Sequence, residues 1–133
     1  MGLTLYADRP DGPQPTDPLP QWSWSGFSLF RRALAEHIHL DMNQMRGFGG
    51  STDWDTVSSP LRHLLQQPDD SGHLERWQVT ELAPALRAAV TALAENDPEG
   101  FLWTGASSNG RSTQGLIALL ELCAAEDLPV RFR

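Results

Sequence analysis

The acidic turn at the centre of the chain is the segment whose residues are best suited to chemistry. Residues 67–78 read Gln-Pro-Asp-Asp-Ser-Gly-His-Leu-Glu-Arg-Trp-Gln, which aligns with the calcium-binding loop of an EF-hand. In this alignment Gly72 takes the position of the sharp turn, and Leu74 takes that of the apolar anchor. The side chains that remain as cation ligands are Asp69, Ser71 and Glu75.

The two strongest ligand positions of this loop carry amides instead of carboxylates. Gln67 replaces the first aspartate, and Gln78 replaces the final bidentate glutamate. A hard cation requires several carboxylate oxygens, and this loop offers few of them. The sequence therefore predicts a degenerate EF-hand-like turn, a structural helix–turn–helix that binds no calcium.

A second candidate metal site is the alternation of His37, His39 and Asp41. Alternate side chains share a face only when the segment is extended, whereas these residues lie at the end of a helical pattern. In a helix His37 and His39 point about 200° apart, and histidine near a helix C-terminus suits the helix dipole. We therefore favour no metal here, and a metal-dependent hydrolase built on the three residues is an alternative.

A third candidate is the segment 105–112, Gly-Ala-Ser-Ser-Asn-Gly-Arg-Ser, which has the spacing of a phosphate-binding loop. Arg111 occupies the lysine position, and its planar guanidinium has the wrong shape for the pocket that holds that lysine. We predict a polar loop in which Ser112 caps the following helix. A weak anion site at that helix N-terminus, assisted by Arg111, is the alternative.

Several aromatic residues lie on either side of a glycine-rich stretch. The candidates for a binding surface among them are Trp22, Trp24, Phe48 and Trp54. Aromatic side chains line small-molecule pockets and dominate protein interfaces. The plainer interpretation, which we favour, is that they anchor an irregular region to a small core. His63 and His73 are interpreted as surface residues.

The charge of the chain limits its partners. A formal net charge of −7 argues against nucleic acid and against anionic membrane surfaces, because both require a basic face. A basic protein partner is compatible with this charge.

The residue types limit the chemistry. All ten basic residues are arginine, and the absence of lysine excludes Schiff-base chemistry and pyridoxal phosphate attachment; no cofactor is expected. Cys123 is the single cysteine, so no internal disulfide is possible. It lies in an apolar helical run, which predicts a buried and unreactive thiol.

The hydrophobic pattern predicts a mostly α-helical domain with a minor β element. Residues 2–7 and 130–133 alternate apolar and polar side chains, so two terminal strands are expected to pair and to pack on the helices. Five prolines between residues 9 and 20 indicate an irregular linker over about 9–21. Helical periodicity elsewhere predicts a compact bundle of four to five helices.

Caps and prolines set the expected helix ends. Ser25 is expected to cap the first helix, which ends near His39. Residues 59–60, Ser-Pro, are expected to begin a short helix. Pro84 is expected to break or kink the next helix, because its ring clashes with the carbonyl of Thr80.

Length and hydropathy indicate one cytoplasmic domain. The chain of 133 residues is 40% hydrophobic, enough for a single core. No run approaches the ~18 apolar residues of a membrane span. Residues 1–8 lack the basic and apolar regions of a signal peptide, which favours a cytoplasmic location.

Three segments together resemble a family of small, uncharacterised bacterial proteins. They are Trp22-Ser23-Trp24-Ser25-Gly26-Phe27, then Gly47-Phe48-Gly49-Gly50, then the turn with Asp69, Gly72 and Leu74 that precedes Ala83-Pro84. In that family the turn tends to read His-Ser-Asp-Cys-Asp-Gly, and here Ser71 replaces the second aspartate. The resemblance covers roughly residues 20–95 and implies a shared organisation without an activity.

The resulting hypothesis is a non-catalytic protein that acts through protein–protein interaction, of the inhibitor, immunity or accessory type. It rests on the small size, the acidic charge, the aromatic candidates and the lack of a complete catalytic set. One alternative is a small-ligand or anion-binding protein that uses the aromatic residues or the 105–112 loop. The other is the metal-dependent hydrolase at His37, His39 and Asp41.

Overall fold

A computed structural model describes residues 2–12, 14–67, 72–96 and 108–132. Within those ranges the chain forms a mixed α+β structure of α-helices and one antiparallel sheet. The strands are β1 (Gly2–Ala7), β2 (Gln21–Ser23), β3 (Gly72–Leu74) and β4 (Val130–Phe132), and the helices are α1 (Trp24–His37), α2 (Arg62–Leu65), α3 (Arg76–Asn96) and α4 (Ser108–Glu126). None of the described helices is long and apolar enough to cross a membrane.

The sheet has the strand order β2-β1-β4-β3. The predicted pairing of the terminal strands is confirmed, since Leu5 lies opposite Phe132 and Ala7 lies opposite Val130. β2 and β3 extend this pair to four antiparallel strands. Each has three residues, which is too short for a period-two pattern to show in the sequence.

The core lies between one face of the sheet and the helices. Leu3, Leu5 and Ala7 alternate along β1 and are almost completely buried, while α1 and α4 pack against that strand. α3 and α4 form the largest helix–helix contact. Helical and strand periodicities therefore bury their apolar faces in one shared core.

The first helix begins and ends slightly earlier than the sequence indicates. Ser23, not Ser25, is the N-cap of α1, and its hydroxyl oxygen accepts a hydrogen bond from Gly26 N at 3.0 Å. Both serines satisfy the local cap pattern. Ser23 becomes the N-cap because the pairing of β2 with β1 holds it in the extended conformation that an N-cap requires.

The expected break at Pro84 is absent, because α3 runs unbroken from Arg76 to Asn96. Its buried stripe continues on both sides of the proline, with Leu82 and Leu86 fully buried. This packing outweighs the ~3 kcal/mol that proline costs in a helix interior. The lost hydrogen bond would have used the carbonyl of Thr80, an exposed residue whose carbonyl can be solvated instead.

The last helix also differs from expectation at its start. α4 begins at Ser108, so Ser112 lies inside the helix and is not its cap. The Ser112 hydroxyl instead donates to the carbonyl of Gln21 and ties α4 to the edge strand β2.

Residues 9–12 and 14–20 of the proline-rich segment lie outside the helices and strands, and Arg9 joins this segment to the end of α4. The Arg9 guanidinium donates to both carboxylate oxygens of Asp17 at 2.8 and 2.9 Å, and also to Glu126 at the end of α4. The hydrogen bonds from Arg9 hold the pKa of Asp17 below its usual range. The Arg9–Asp17 pair therefore ties the segment to itself, and the bond to Glu126 anchors it to the end of α4.

This pair predicts an acid-dependent contribution to stability. A carboxyl group whose pKa is lowered by folding stabilises the fold above its unfolded pKa of about 3.9, and that stabilisation is lost as the pH falls through the folded value. Asp17→Asn should lower the Tm at pH 7 and flatten its decrease between pH 5 and pH 3. Asp11→Asn, at an exposed neighbour, should behave as wild type; equal acid profiles for wild type and Asp17→Asn would refute the role of the pair.

Candidate functional site

The guanidinium of Arg31 on α1 is the most deeply buried charge of the described residues, with 1% of the residue exposed. The two hydrogens of its Nη1 are shared among three carbonyl oxygens at and just beyond the end of α2, those of Leu64 at 3.4 Å, Leu65 at 3.3 Å and Gln67 at 2.5 Å. The last carbonyls of a helix have no partners inside the helix and carry partial negative charge. Arg31 therefore caps α2 and fixes it against α1.

Two aromatic rings enclose this guanidinium. The Arg31 Cζ lies 4.9 Å from the ring centroid of Phe27 and 5.5 Å from that of Phe48, within the range of cation–π attraction. Gly47 has a φ of +90°, which favours glycine. A Cβ on Gly50 would lie 2.1 Å from the backbone of Gln44. The glycine-rich loop thus has the geometry that places Phe48 over Arg31.

The structure separates the aromatic candidates into two buried groups and one exposed ring. Trp22 is 3% exposed and stacks on Phe30 at 5.2 Å. Trp54 is 8% exposed, donates through Nε1 to a backbone carbonyl and meets Phe48 edge-on at 5.7 Å. Trp24 is 49% exposed. Trp22 and Trp54 thus anchor the core, and Trp24 alone of the four presents a large ring to solvent.

In the acidic turn, the glutamines at the two strongest ligand positions bond to the protein itself. Gln67 Oε1 accepts from His73 N at 3.2 Å, and Gln78 Oε1 accepts from Glu75 N at 2.8 Å. Both amide oxygens therefore accept hydrogen bonds from backbone N–H groups of the protein. A strand, β3, lies between the turn and α3, so the expected helix–turn–helix is wrong in that detail. Asp69 and Ser71 lie outside the described residues.

The His37, His39 and Asp41 alternation does not form a metal cluster. Among the described residues, no three histidine, cysteine or acidic side chains gather as a metal site would require. His39 and Asp41 line a surface depression of ≈ 450 Å³ together with Arg32 and Glu36, whereas His37 does not. This arrangement gives the hydrolase alternative no support.

Arg111 is exposed on the first turns of α4 and lines a depression of ≈ 380 Å³ together with residues of the proline-rich segment. The polar loop expected at 105–112 is wrong for residues 108–112, which belong to α4, and residues 105–107 lie outside the described residues. The anion-site alternative stays a prediction. The burial expected for Cys123 is confirmed. That burial raises the pKa of its thiol to about 11, which disfavours the reactive thiolate.

The sequence did not indicate one group of neighbouring residues, which consists of His63, Trp77 and Glu81. His63, interpreted above as a surface residue, is 1% exposed, and its Nε2 lies 2.8 Å from Glu81 Oε1. Its ring meets the indole of Trp77 edge-on, with the centroids 5.1 Å apart. Trp77 is 56% exposed. The i,i+4 spacing of Trp77 and Glu81 indicates in the sequence that the two side chains are neighbours on a helix. The burial of His63 has no such signal, because it depends on the packing of α2 against α3.

His39 generates a prediction about stability. It has a φ of 58°, and the bonds from Leu40 N to Ala35 O and from His39 N to Glu36 O form a Schellman ending. A side chain at that position costs about 1 kcal/mol. His39→Gly should therefore raise the free energy of unfolding by about 1 kcal/mol in urea denaturation.

The matched control for His39→Gly is His37→Gly. This change lies inside α1 and should lower the free energy of unfolding by about 0.5 kcal/mol. Changes of the same sign in the two variants would contradict the assignment of His39 to the helix ending.

Comparisons with protein-family models, with curated protein sequences and with solved structures give no match to this chain. The family resemblance indicated by the sequence therefore stays an expectation.

Proposed function

We propose that this chain acts by binding another protein and carries out no catalysis itself. The observation that carries the proposal is the exposure of two tryptophans, with Trp24 at 49% and Trp77 at 56%. Tryptophan is strongly enriched among the residues that dominate binding energy at protein interfaces. The chain buries Trp22 and Trp54 in its core, so exposure of the other two is not forced by a lack of room.

The charge of the molecule favours a basic partner. The net charge of −7 raises the rate of encounter with a positively charged protein and slows that with an acidic one. Leu19 and Leu29 add two further large apolar side chains that are about half exposed, at 47% and 51%. An acidic surface with scattered apolar anchors is compatible with an inhibitor, immunity or accessory protein.

The test is a binding measurement on a purified complex. Partners captured from the cell that makes this protein should be identified, produced separately and recombined, and native mass spectrometry should show a defined stoichiometry. Replacing Trp24 and Trp77 together by alanine should weaken the complex by about 2 kcal/mol or more, as expected for tryptophans central to an interface. Calorimetry measures this change in dissociation constant.

Gln44→Ala provides the control, because Gln44 is exposed and lies outside both tryptophan environments. Thermal unfolding should show that all variants remain folded, since neither indole belongs to the fully buried core. A complex that binds equally well without the two indoles would contradict the proposal. So would turnover in a substrate screen by a chain that forms no complex.

A further inference from the structure

Trp77 and Glu81 form a paired surface on the outer side of α3. They lie four residues apart, so their side chains are neighbours on one face of the helix. Trp77 is 56% exposed, and the Glu81 side chain is 52% exposed. An indole and a carboxylate therefore face solvent side by side.

Buried His63 holds both members of this pair. Its Nε2 lies 2.8 Å from Glu81 Oε1, and its ring packs edge-on against the Trp77 indole with an interplanar angle of 81°. An ionised carboxylate only accepts hydrogen bonds, so Nε2 carries the hydrogen that is shared with Glu81. One buried side chain from α2 thus orients an exposed acid and an exposed ring on α3.

This arrangement reduces the entropy that a partner must overcome on binding. An exposed glutamate and an exposed tryptophan normally sample several rotamers, and fixing them costs free energy. Here the fold has already fixed them. Glu81 Oε2 has no hydrogen-bond donor among the described residues, so one carboxylate oxygen remains open beside the indole.

We propose that the pair of Trp77 and Glu81, positioned by His63, binds an arginine side chain of a partner protein. The inference rests on the protein-binding function proposed above and names the chemistry of the partner at one surface. A guanidinium stacks on an indole face and donates to a carboxylate at the same time, because its donors lie in the plane of the group. A lysine ammonium is not planar and therefore cannot stack on the indole in this way.

The surroundings of the pair suit a basic segment of chain. The net charge of −7 attracts such a segment. One turn beyond Glu81, the exposed Pro84 and Ala88 line a shallow groove of ≈ 760 Å³ between α3 and α4. The nearby cation Arg87 is paired with Glu121, so its charge is engaged within this protein. The groove leaves space for the backbone next to the bound arginine.

The test uses an acetylated and amidated peptide of alternating glycine and arginine as the probe. Its matched peptides carry citrulline, which has the same shape without the charge, or lysine. NMR titration of the ¹⁵N-labelled chain follows the Trp77 indole N–H, identified by its absence from the Trp77→Phe spectrum. The arginine peptide should shift this signal saturably, the lysine peptide should bind several-fold more weakly, and the citrulline peptide at least tenfold more weakly.

Variants separate this surface from general charge attraction. Glu81→Gln should weaken binding of the arginine peptide at least fivefold, whereas Glu36→Gln removes the same charge from an exposed position on α1 and should leave binding almost unchanged. Equal effects of the two variants, equal binding of the citrulline or lysine peptide, or an unmoved Trp77 indole would each overturn the inference. If a reconstituted partner complex survives Trp77→Ala and Glu81→Gln but is lost with Trp24→Ala, the proposed function stands and this surface is wrong.

Discussion

The buried guanidinium of Arg31 is the interaction on which the rest of the fold depends. A charge taken out of water is tolerated only where its hydrogen-bonding groups and its charge are satisfied. Nη1 of Arg31 donates to carbonyls at the end of α2, and the guanidinium lies within cation–π distance of the rings of Phe27 and Phe48. Helix α1, helix α2 and the glycine-rich loop must therefore adopt compatible positions.

The proposed binding surface is connected to Arg31 through the short helix α2. α2 has four residues, too few to be stable alone, and Arg31 supplies its C-terminal cap. The same short helix carries His63, which orients Glu81 and Trp77 on α3. The buried arginine thus fixes the element that holds the exposed pair, so core packing and the proposed function are connected through α2.

Sequence patterns predicted the parts of this structure that depend on local or regular signals. The alternation of Leu3 and Leu5 with polar neighbours was enough to predict β1 and its pairing with β4. Helical stripes indicated α1, α3 and α4. The polar loop expected at 105–112 is wrong for residues 108–112, which are helical. Residues 105–107 and the Asp-Asp-Ser part of the acidic turn lie outside the residues that the structure describes.

The features that the sequence did not reveal depend on contacts between distant segments. Ser23 rather than Ser25 caps α1 because β2 pairs with β1, and Pro84 is accommodated because Leu82 and Leu86 are buried on either side of it. Arg31 and His63 look like ordinary surface residues in the sequence. Only the packing of α1, α2 and α3 shows that Arg31 is a buried cap of α2. The same packing shows that His63 is buried and contacts Trp77 and Glu81.

The most direct test of this account is urea unfolding of Arg31→Met compared with Arg32→Met. The two residues are adjacent on α1, but Arg31 is buried and Arg32 is exposed. Arg31→Met leaves the carbonyls at the end of α2 without their donor, and such a loss is expected to cost about 1–3 kcal/mol, whereas the exposed change should stay within about 0.5 kcal/mol. Similar losses in the two variants would contradict the central role of Arg31.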